Sequence, residues 1–142
     1  MIHATTVALG AVGVLLRGPS GSGKSDLALR LIDGGARLVA DDQTVLTRRG
    51  AALHAAPPAS LAGRLEVRGV GIVTVDFATD MPVIALFDLV PLHAIERLPE
   101  PTTVELLGVP LPALRLDPTA PSAPAKVRLA VEQLRSDKMA PP

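Results

Sequence analysis

The 142-residue chain has no cysteine, no tryptophan and no tyrosine. Without cysteine there is no disulfide framework, no thiolate metal site and no cysteine nucleophile. Phe77 and Phe87 are its 2 aromatic side chains. That argues against a surface that stacks single-stranded bases, and it leaves the core to aliphatic residues. Net charge is also missing, because 14 basic and 14 acidic residues cancel. No overall field draws the chain to nucleic acid or anionic lipid. No apolar run reaches the roughly 18 residues of a membrane helix, and no charged-then-apolar leader is visible. The expectation is therefore a cytoplasmic chain with neither a nucleic-acid nor a membrane partner. The metal spacings His-x-His, Cys-x-x-Cys and His-Glu-x-x-His are absent, as is the guanine-reading Asn-Lys-x-Asp.

What is present is concentrated in one octet. Gly18-Pro19-Ser20-Gly21-Ser22-Gly23-Lys24-Ser25 fits the phosphate-binding pattern G-x-x-x-x-G-K-[ST] at every fixed position. Glycines let backbone N–H groups curl around an anion without Cβ clashes. The helix that follows begins with unpaired N–H donors and a positive dipole end. Lys24 can reach the β- and γ-phosphates of a nucleotide, and the Ser25 hydroxyl can ligate Mg²⁺. The flanks agree. Val12-Gly13-Val14-Leu15-Leu16 predicts a strand before the loop. Leu27 with Leu31, and Ala28 with Ile32, predict a helix after it, from Lys24 to Asp33, stopped by Gly34-Gly35.

The first third reads as a β-α-β unit. Thr5–Leu9 is expected to pair with Val12–Leu16 across Gly10, and Ala36–Ala40 to form a short strand after the helix. A parallel strand returning from a crossover helix ends at the edge where the helix began. Asp41 and Asp42 then stand beside the bound phosphates, in the ligand crevice of an open α/β sheet. Farther on, Arg48-Arg49-Gly50 predicts a hairpin turn between Val45–Thr47 and Ala52–His54, and Leu61–Leu65 a brief helix. Leu65–Val75 mixes strand alternation with two glycines, which suggests a bend. Val83–Val90 predicts a central strand. Prolines between Pro91 and Pro124 predict extended or looped chain. Lys126–Arg135 carries a helical stripe of Val127, Ala130, Val131 and Leu134. One domain over 1–136 is expected, with a frayed tail at 137–142.

An apolar strand ending in acid after a phosphate loop suits Mg²⁺ binding, and adjacent carboxylates can divide metal and proton duties between Asp41 and Asp42. The bland alternative is a solvated turn. Glu66 and Arg68 project to one face if they lie on a strand. They read either as a metal carboxylate with a phosphoryl-binding guanidinium, or as a surface ion pair. His3 and Arg97 read alone as solvated groups, and His54 and His93 as structural ones.

Together these stretches resemble the HPr kinase/phosphorylase catalytic domain. The matching segments are His3 through Ser25, Arg37–Asp42 (R-L-V-A-D-D), Leu65–Asp76 (L-E-V-R-G-V-G-I-V-T-V-D) and, more weakly, Glu105–Pro112. The resemblance implies an α/β P-loop domain of the phosphoenolpyruvate carboxykinase-like type, a central mixed β-sheet with flanking helices. It implies ATP with Mg²⁺, transfer of phosphate to a serine of the phosphocarrier HPr or a nitrogen-system homologue, and reversal by inorganic phosphate. Ser25 and Glu66 fall on the family's Mg²⁺ positions and Lys24 on its phosphate-binding lysine. Asp41-Asp42 falls on its catalytic aspartates, serving as base forward and acid in reverse. His3 falls on its histidine near the phosphate, and Arg97 on its late arginine. The family is commonly hexameric, so a homo-oligomer is expected.

Two departures stand out. The sequence begins just before that histidine, so the N-terminal domain of longer members is expected to be missing, and it looks like the short proteobacterial form. Where those members carry a Pro-Gly-Arg-Asn-like segment tied to dephosphorylation, this chain reads Pro118-Thr119-Ala120-Pro121-Ser122-Ala123-Pro124-Ala125-Lys126. That favours the kinase direction. The rivals are a small-molecule P-loop kinase and an ATP-sensing regulator that transfers nothing. No lid insertion supports the first, and a pure sensor has no need of a catalytic base.

Overall fold

The structure, a computed structural model, describes residues 1–139. The strands are β1 (Ile2–His3), β2 (Thr5–Leu9), β3 (Val12–Arg17), β4 (Arg37–Ala40), β5 (Gln43–Arg49), β6 (Ala52–Ala56), β7 (Arg64–Val67), β8 (Gly71–Thr74), β9 (Met81–Leu89), β10 (Thr102–Leu106) and β11 (Val109–Leu116). The helices are α1 (Lys24–Asp33), between β3 and β4, and α2 (Ala123–Met139), which closes the described chain. Nine strands form one mixed sheet, ordered β1-β5-β6-β9-β3-β2-β4, with β11 and then β10 joined through β9. β7 and β8 make a separate two-stranded ribbon.

β9 is the hub, in line with the central strand that its apolar run predicts. It pairs in parallel with β3 along one side. Its other side takes β6 near Met81 and Pro82 and β11 from Leu86 to Leu89. Side chains alternate between two cores. Val14, Leu16, Ala85 and Phe87 face the helices, where they meet Leu27 and Leu31 of α1 and Val127 and Val131 of α2. Leu15 and Leu86 point the other way, to Val39, Leu53, Val109 and Leu111. Leu27 and Leu31 are fully buried, and each such side chain contributes roughly 1.5–3 kcal/mol. Both helices lie against the first core. The second is enclosed by the sheet's own curl, with Thr44 of β5 hydrogen-bonded to Thr6 at 2.7 Å and to the Ala4 carbonyl at 2.9 Å.

The β-α-β reading holds with one refinement. β2 is antiparallel to both β3 and β4 and lies between them. β4 therefore runs the same way as β3 without touching it, and both end at the phosphate-loop edge. α1 stops at Gly34 and Gly35, whose N–H groups close onto Arg30, Leu31 and Ile32 carbonyls, with φ +111 at Gly35.

Other expectations need correction. No helix spans Leu61–Leu65. A single 3-10 turn covers Ala59–Leu61, and Gly63 at φ +74 redirects the chain into β7. The bend expected in Leu65–Val75 is a full hairpin, β7 with β8. Arg48 and Arg49 belong to β5, so the turn there is tighter than expected. The proline-rich stretch holds β10 and β11, linked by Leu107 and Gly108, both at positive φ (51 and 78). Pro110 and Pro112 are tolerated because residues two apart turn the same edge outward, and pairing with β9 begins only at Ala113. α2 starts earlier than expected because Pro124 sits in its first turn, where a missing N–H costs nothing. It continues through Met139, beyond the expected end at Arg135. Residues 140–142 of the expected tail lie outside the described residues.

Candidate active site

The loop between β3 and α1 has the shape its glycines predicted. φ is +81 at Gly21 and +101 at Gly23, and a Cβ on Gly18 would lie 2.6 Å from Ser22 Oγ. The Ser22 hydroxyl is buried and has no hydrogen-bond partner among the described residues. Lys24 is buried, and its Nζ donates to the Gly18 carbonyl at 2.8 Å and the Pro19 carbonyl at 3.2 Å. Its ammonium is thereby held at the loop mouth, 4.0 Å from Asp42 Oδ1.

The two aspartates diverge. Asp41 turns inward. Its Oδ1 accepts from Ser25 Oγ at 2.7 Å and Thr5 Oγ1 at 3.1 Å, and its Oδ2 accepts from the Glu66 backbone N–H at 3.0 Å. Asp42 turns outward, with its side chain 58% exposed and 2.6 Å from His3 Nε2. The reason is a three-residue turn closed by Gln43 N–H on the Asp41 carbonyl at 2.8 Å. Asp42 at its centre has φ +67. That is the strained hand of γ-turn, a cost of order 1–3 kcal/mol that persists where its surroundings over-determine it. Thr5 Oγ1 accepts from the Asp42 N–H at 3.0 Å while donating to Asp41, so one hydroxyl fixes both residues.

A cleft of about 490 Å³ gathers Lys24, Ser25, Asp42, Glu66 and Arg68 with loop residues Ser20, Gly21 and Gly23. Asp26, Leu29 and Val67 complete its walls. Arg68 reaches it from the turn after β7 and not, as expected, from the strand itself. Arg97 is not brought in. It is exposed on the loop after β9 and does not line the cleft. His54 hydrogen-bonds near Asp80, and Arg49 pairs with Asp80 at 2.6 Å, away from the cleft.

The donor set fits a phosphate chain and one Mg²⁺. The cradle is open glycine backbone with a buried ammonium beside it. Among the described residues no group of three or more His, Cys, Asp or Glu could hold a metal alone. Mg²⁺ at such a site is ordinarily held by one or two protein oxygens, with phosphates and water supplying the rest. Ser25 suits that role because its proton is committed to Asp41, leaving its lone pairs free.

Three features escaped sequence reasoning. Thr5 read only as a β-branched strand residue. Arg17 at the end of β3 makes a bidentate pair with Asp88 of β9, at 2.7 and 3.1 Å, and this bond raises the Arg17 pKa. Arg30 donates to the Pro118 and Ala120 carbonyls, where Pro118 packs 3.3 Å from the Cβ position of Gly23. No local pattern marks any of these contacts, because each joins segments far apart in the chain.

A family model described as the HPr serine kinase C-terminal domain matches residues 1–134. The chain belongs to this family. HPr kinase/phosphorylase of Chloroherpeton thalassium is 35% identical over 126 residues, covering 80% of this chain and 37% of the relative. The Lactococcus lactis subsp. cremoris protein of the same name is 33% identical over 97% of this chain and 49% of its own length. The chain thus spans less than half the length of these curated family members. The structure of the Hpr(Ser) kinase/phosphatase from Coxiella burnetii superposes with a TM-score of 0.84 at 26% identity, covering 96% of this chain and 91% of that one. Among the described residues no helix is long and apolar enough to cross a membrane.

Proposed function

We propose that this chain is an ATP-dependent protein-serine kinase acting on the phosphocarrier HPr or a nitrogen-system homologue. The observation that carries the reading is the convergence of Lys24, Ser25, Asp42 and Glu66 on one cleft at the phosphate-loop edge, with Asp41 hydrogen-bonded to Ser25 and to the Glu66 N–H. We also assign the fold to the phosphoenolpyruvate carboxykinase-like P-loop type. The antiparallel β2 between β3 and β4 supports that assignment, since it departs from an all-parallel doubly wound sheet.

The structure suggests a division of labour between the acids. Asp41 accepts three hydrogen bonds and positions Ser25. Asp42 is exposed, beside a histidine and a lysine, and is the group able to take a proton. The acceptor serine loses its proton to Asp42 as its oxygen bonds the γ-phosphorus in line. The bond from that phosphorus to the β,γ-bridging oxygen breaks, and ADP leaves. Lys24 and the N–H groups at the start of α1 stabilise the charge that develops on the phosphoryl oxygens. His3 holds the Asp42 carboxylate in place. Ser25 and Glu66 would hold Mg²⁺, which would supply positive charge to neutralise the phosphates.

Labelled ATP with purified HPr, followed by mapping of the modified residue, tests this. Label on a serine is expected. Label on a histidine, or on no protein, refutes it. Added inorganic phosphate should strip the label only weakly, because the Pro118–Lys126 stretch lacks the segment expected for the reverse reaction.

A further inference from the structure

We propose that Val70 and Ile72, at the tip of the β7–β8 hairpin, form the lip on which the acceptor protein docks, covered by an apolar patch around its serine. The inference rests on the protein-kinase reading above. In the hairpin register, Ile72 stands opposite Glu66 and Arg64 opposite Thr74. Cross-strand partners share a face, with Cβ atoms roughly 4.5–5.5 Å apart. The face carrying Glu66 is therefore polar except at Ile72, which is 72% exposed. The opposite face carries Leu65 and Val73 into the core. Val70 is 73% exposed, and it occupies a turn between Gly69 and Gly71, both at positive φ, where polar residues are the norm. Ile72 thus stands beside Glu66, which lines the cleft, and Val70 is exposed in the turn that also carries Arg68.

The chemistry explains what should cover them. Phosphoryl transfer must exclude water from the acceptor oxygen, yet the Asp42 side chain is 58% exposed. No element of this chain among the described residues closes over it. A protein acceptor closes the cleft itself if apolar side chains beside its serine seat on Val70 and Ile72. A small-molecule acceptor would leave both residues in water.

The test is Val70→Ser, Ile72→Ser and the double variant, assayed with purified HPr. Each single change should raise KM for the carrier roughly tenfold, which corresponds to about 1.4 kcal/mol. kcat at saturating carrier, affinity for ATP and Tm should stay at wild-type values, because both side chains project into solvent. A double variant with unchanged KM, while the wild type labels HPr, overturns this proposal alone. A wild type that labels no carrier overturns the kinase reading and this proposal with it. A double variant that falls to a smaller assembly on size exclusion assigns the lip to a second copy of the chain, and also overturns it.

Discussion

Replacing Asp41 and Asp42 should produce two different defects, although the residues are adjacent and chemically identical. Asp41→Ala removes an acceptor from Thr5 Oγ1, Ser25 Oγ and the Glu66 N–H. Hydrogen bonds to a charged group contribute roughly 1.5–3 kcal/mol each. Three on one carboxylate share surroundings and do not add, so the expected loss is about 2–4 kcal/mol. For a chain of this size roughly 2–4 °C accompanies each kcal/mol, giving a fall in Tm of roughly 5–15 °C. The Mg²⁺ requirement should rise, because Ser25 is no longer oriented. Asp42→Asn touches an exposed group and keeps a residue type that tolerates left-handed backbone. Tm and ATP affinity should hold, while kcat for phosphoryl transfer falls roughly 10²- to 10⁴-fold with the loss of the base. Thermal unfolding and labelled-ATP transfer at saturating ATP measure both. An Asp42→Asn chain within tenfold of wild type, or an Asp41→Ala chain that loses turnover at unchanged Tm, would refute the division of roles.

Lys24→Ala should lower kcat roughly 10²- to 10³-fold, the cost of one preorganised electrostatic group; turnover near that of wild type contradicts its place at the phosphates. Gly23→Ala forces a Cβ onto φ +101 and to 3.3 Å from Pro118. The left-handed backbone alone costs about 1–2 kcal/mol, so calorimetry should show a lower Tm and weaker nucleotide binding. Asp80 has its pKa lowered first by the hydrogen bond from Arg49, then by nearby positive charge. Its contribution is present above the unfolded carboxylate pKa and is lost as pH falls through the lower folded one. Asp80→Asn should therefore flatten the acid limb of a Tm-against-pH curve and leave neutral-pH activity alone.

How much of this was legible in the sequence follows from the range of each interaction. The phosphate loop and α1 are local: glycine spacing, a Leu27–Leu31 stripe and Gly34-Gly35 decide them within a few turns of chain. The return of Asp41-Asp42 to the loop edge needed only the parallel direction of the strand after the crossover helix, and it holds although β2 intervenes. The divergence of the two acids was not legible. It depends on the γ-turn at Asp42 and on Thr5, 36 residues before Asp41. The β10–β11 hairpin was hidden because Leu107 is a poor turn residue and prolines argue against strands. Arg48 of β5 donates to the Leu107 carbonyl at 3.1 Å across 59 residues of chain, a contact that sequence spacing cannot announce. Arg97 shows the converse: a residue named by family pattern that the fold leaves outside the cleft.

The arginines that did escape notice explain how a loop of mostly small residues holds its shape. Arg17 is the residue before Gly18, and its fork grips Asp88 on the neighbouring strand in register. Its side chain is 35% exposed and that of Asp88 33%, so solvent screening keeps the pair near the 1 kcal/mol scale. Its main effect is geometric, because a bidentate guanidinium fixes direction as well as distance. It pins the end of β3 against β9, so the Gly18 carbonyl stands where Lys24 Nζ can use it. At the other end Arg30 takes the Pro118 and Ala120 carbonyls and sets Pro118 against Gly23. Neither guanidinium lines the cleft. The positive charge available to phosphate inside the loop is thus that of Lys24, with Arg68 facing it from the hairpin across the cleft. A lysine at position 17 or 30 would keep the charge and lose the fork, and the loop would loosen at whichever end was changed.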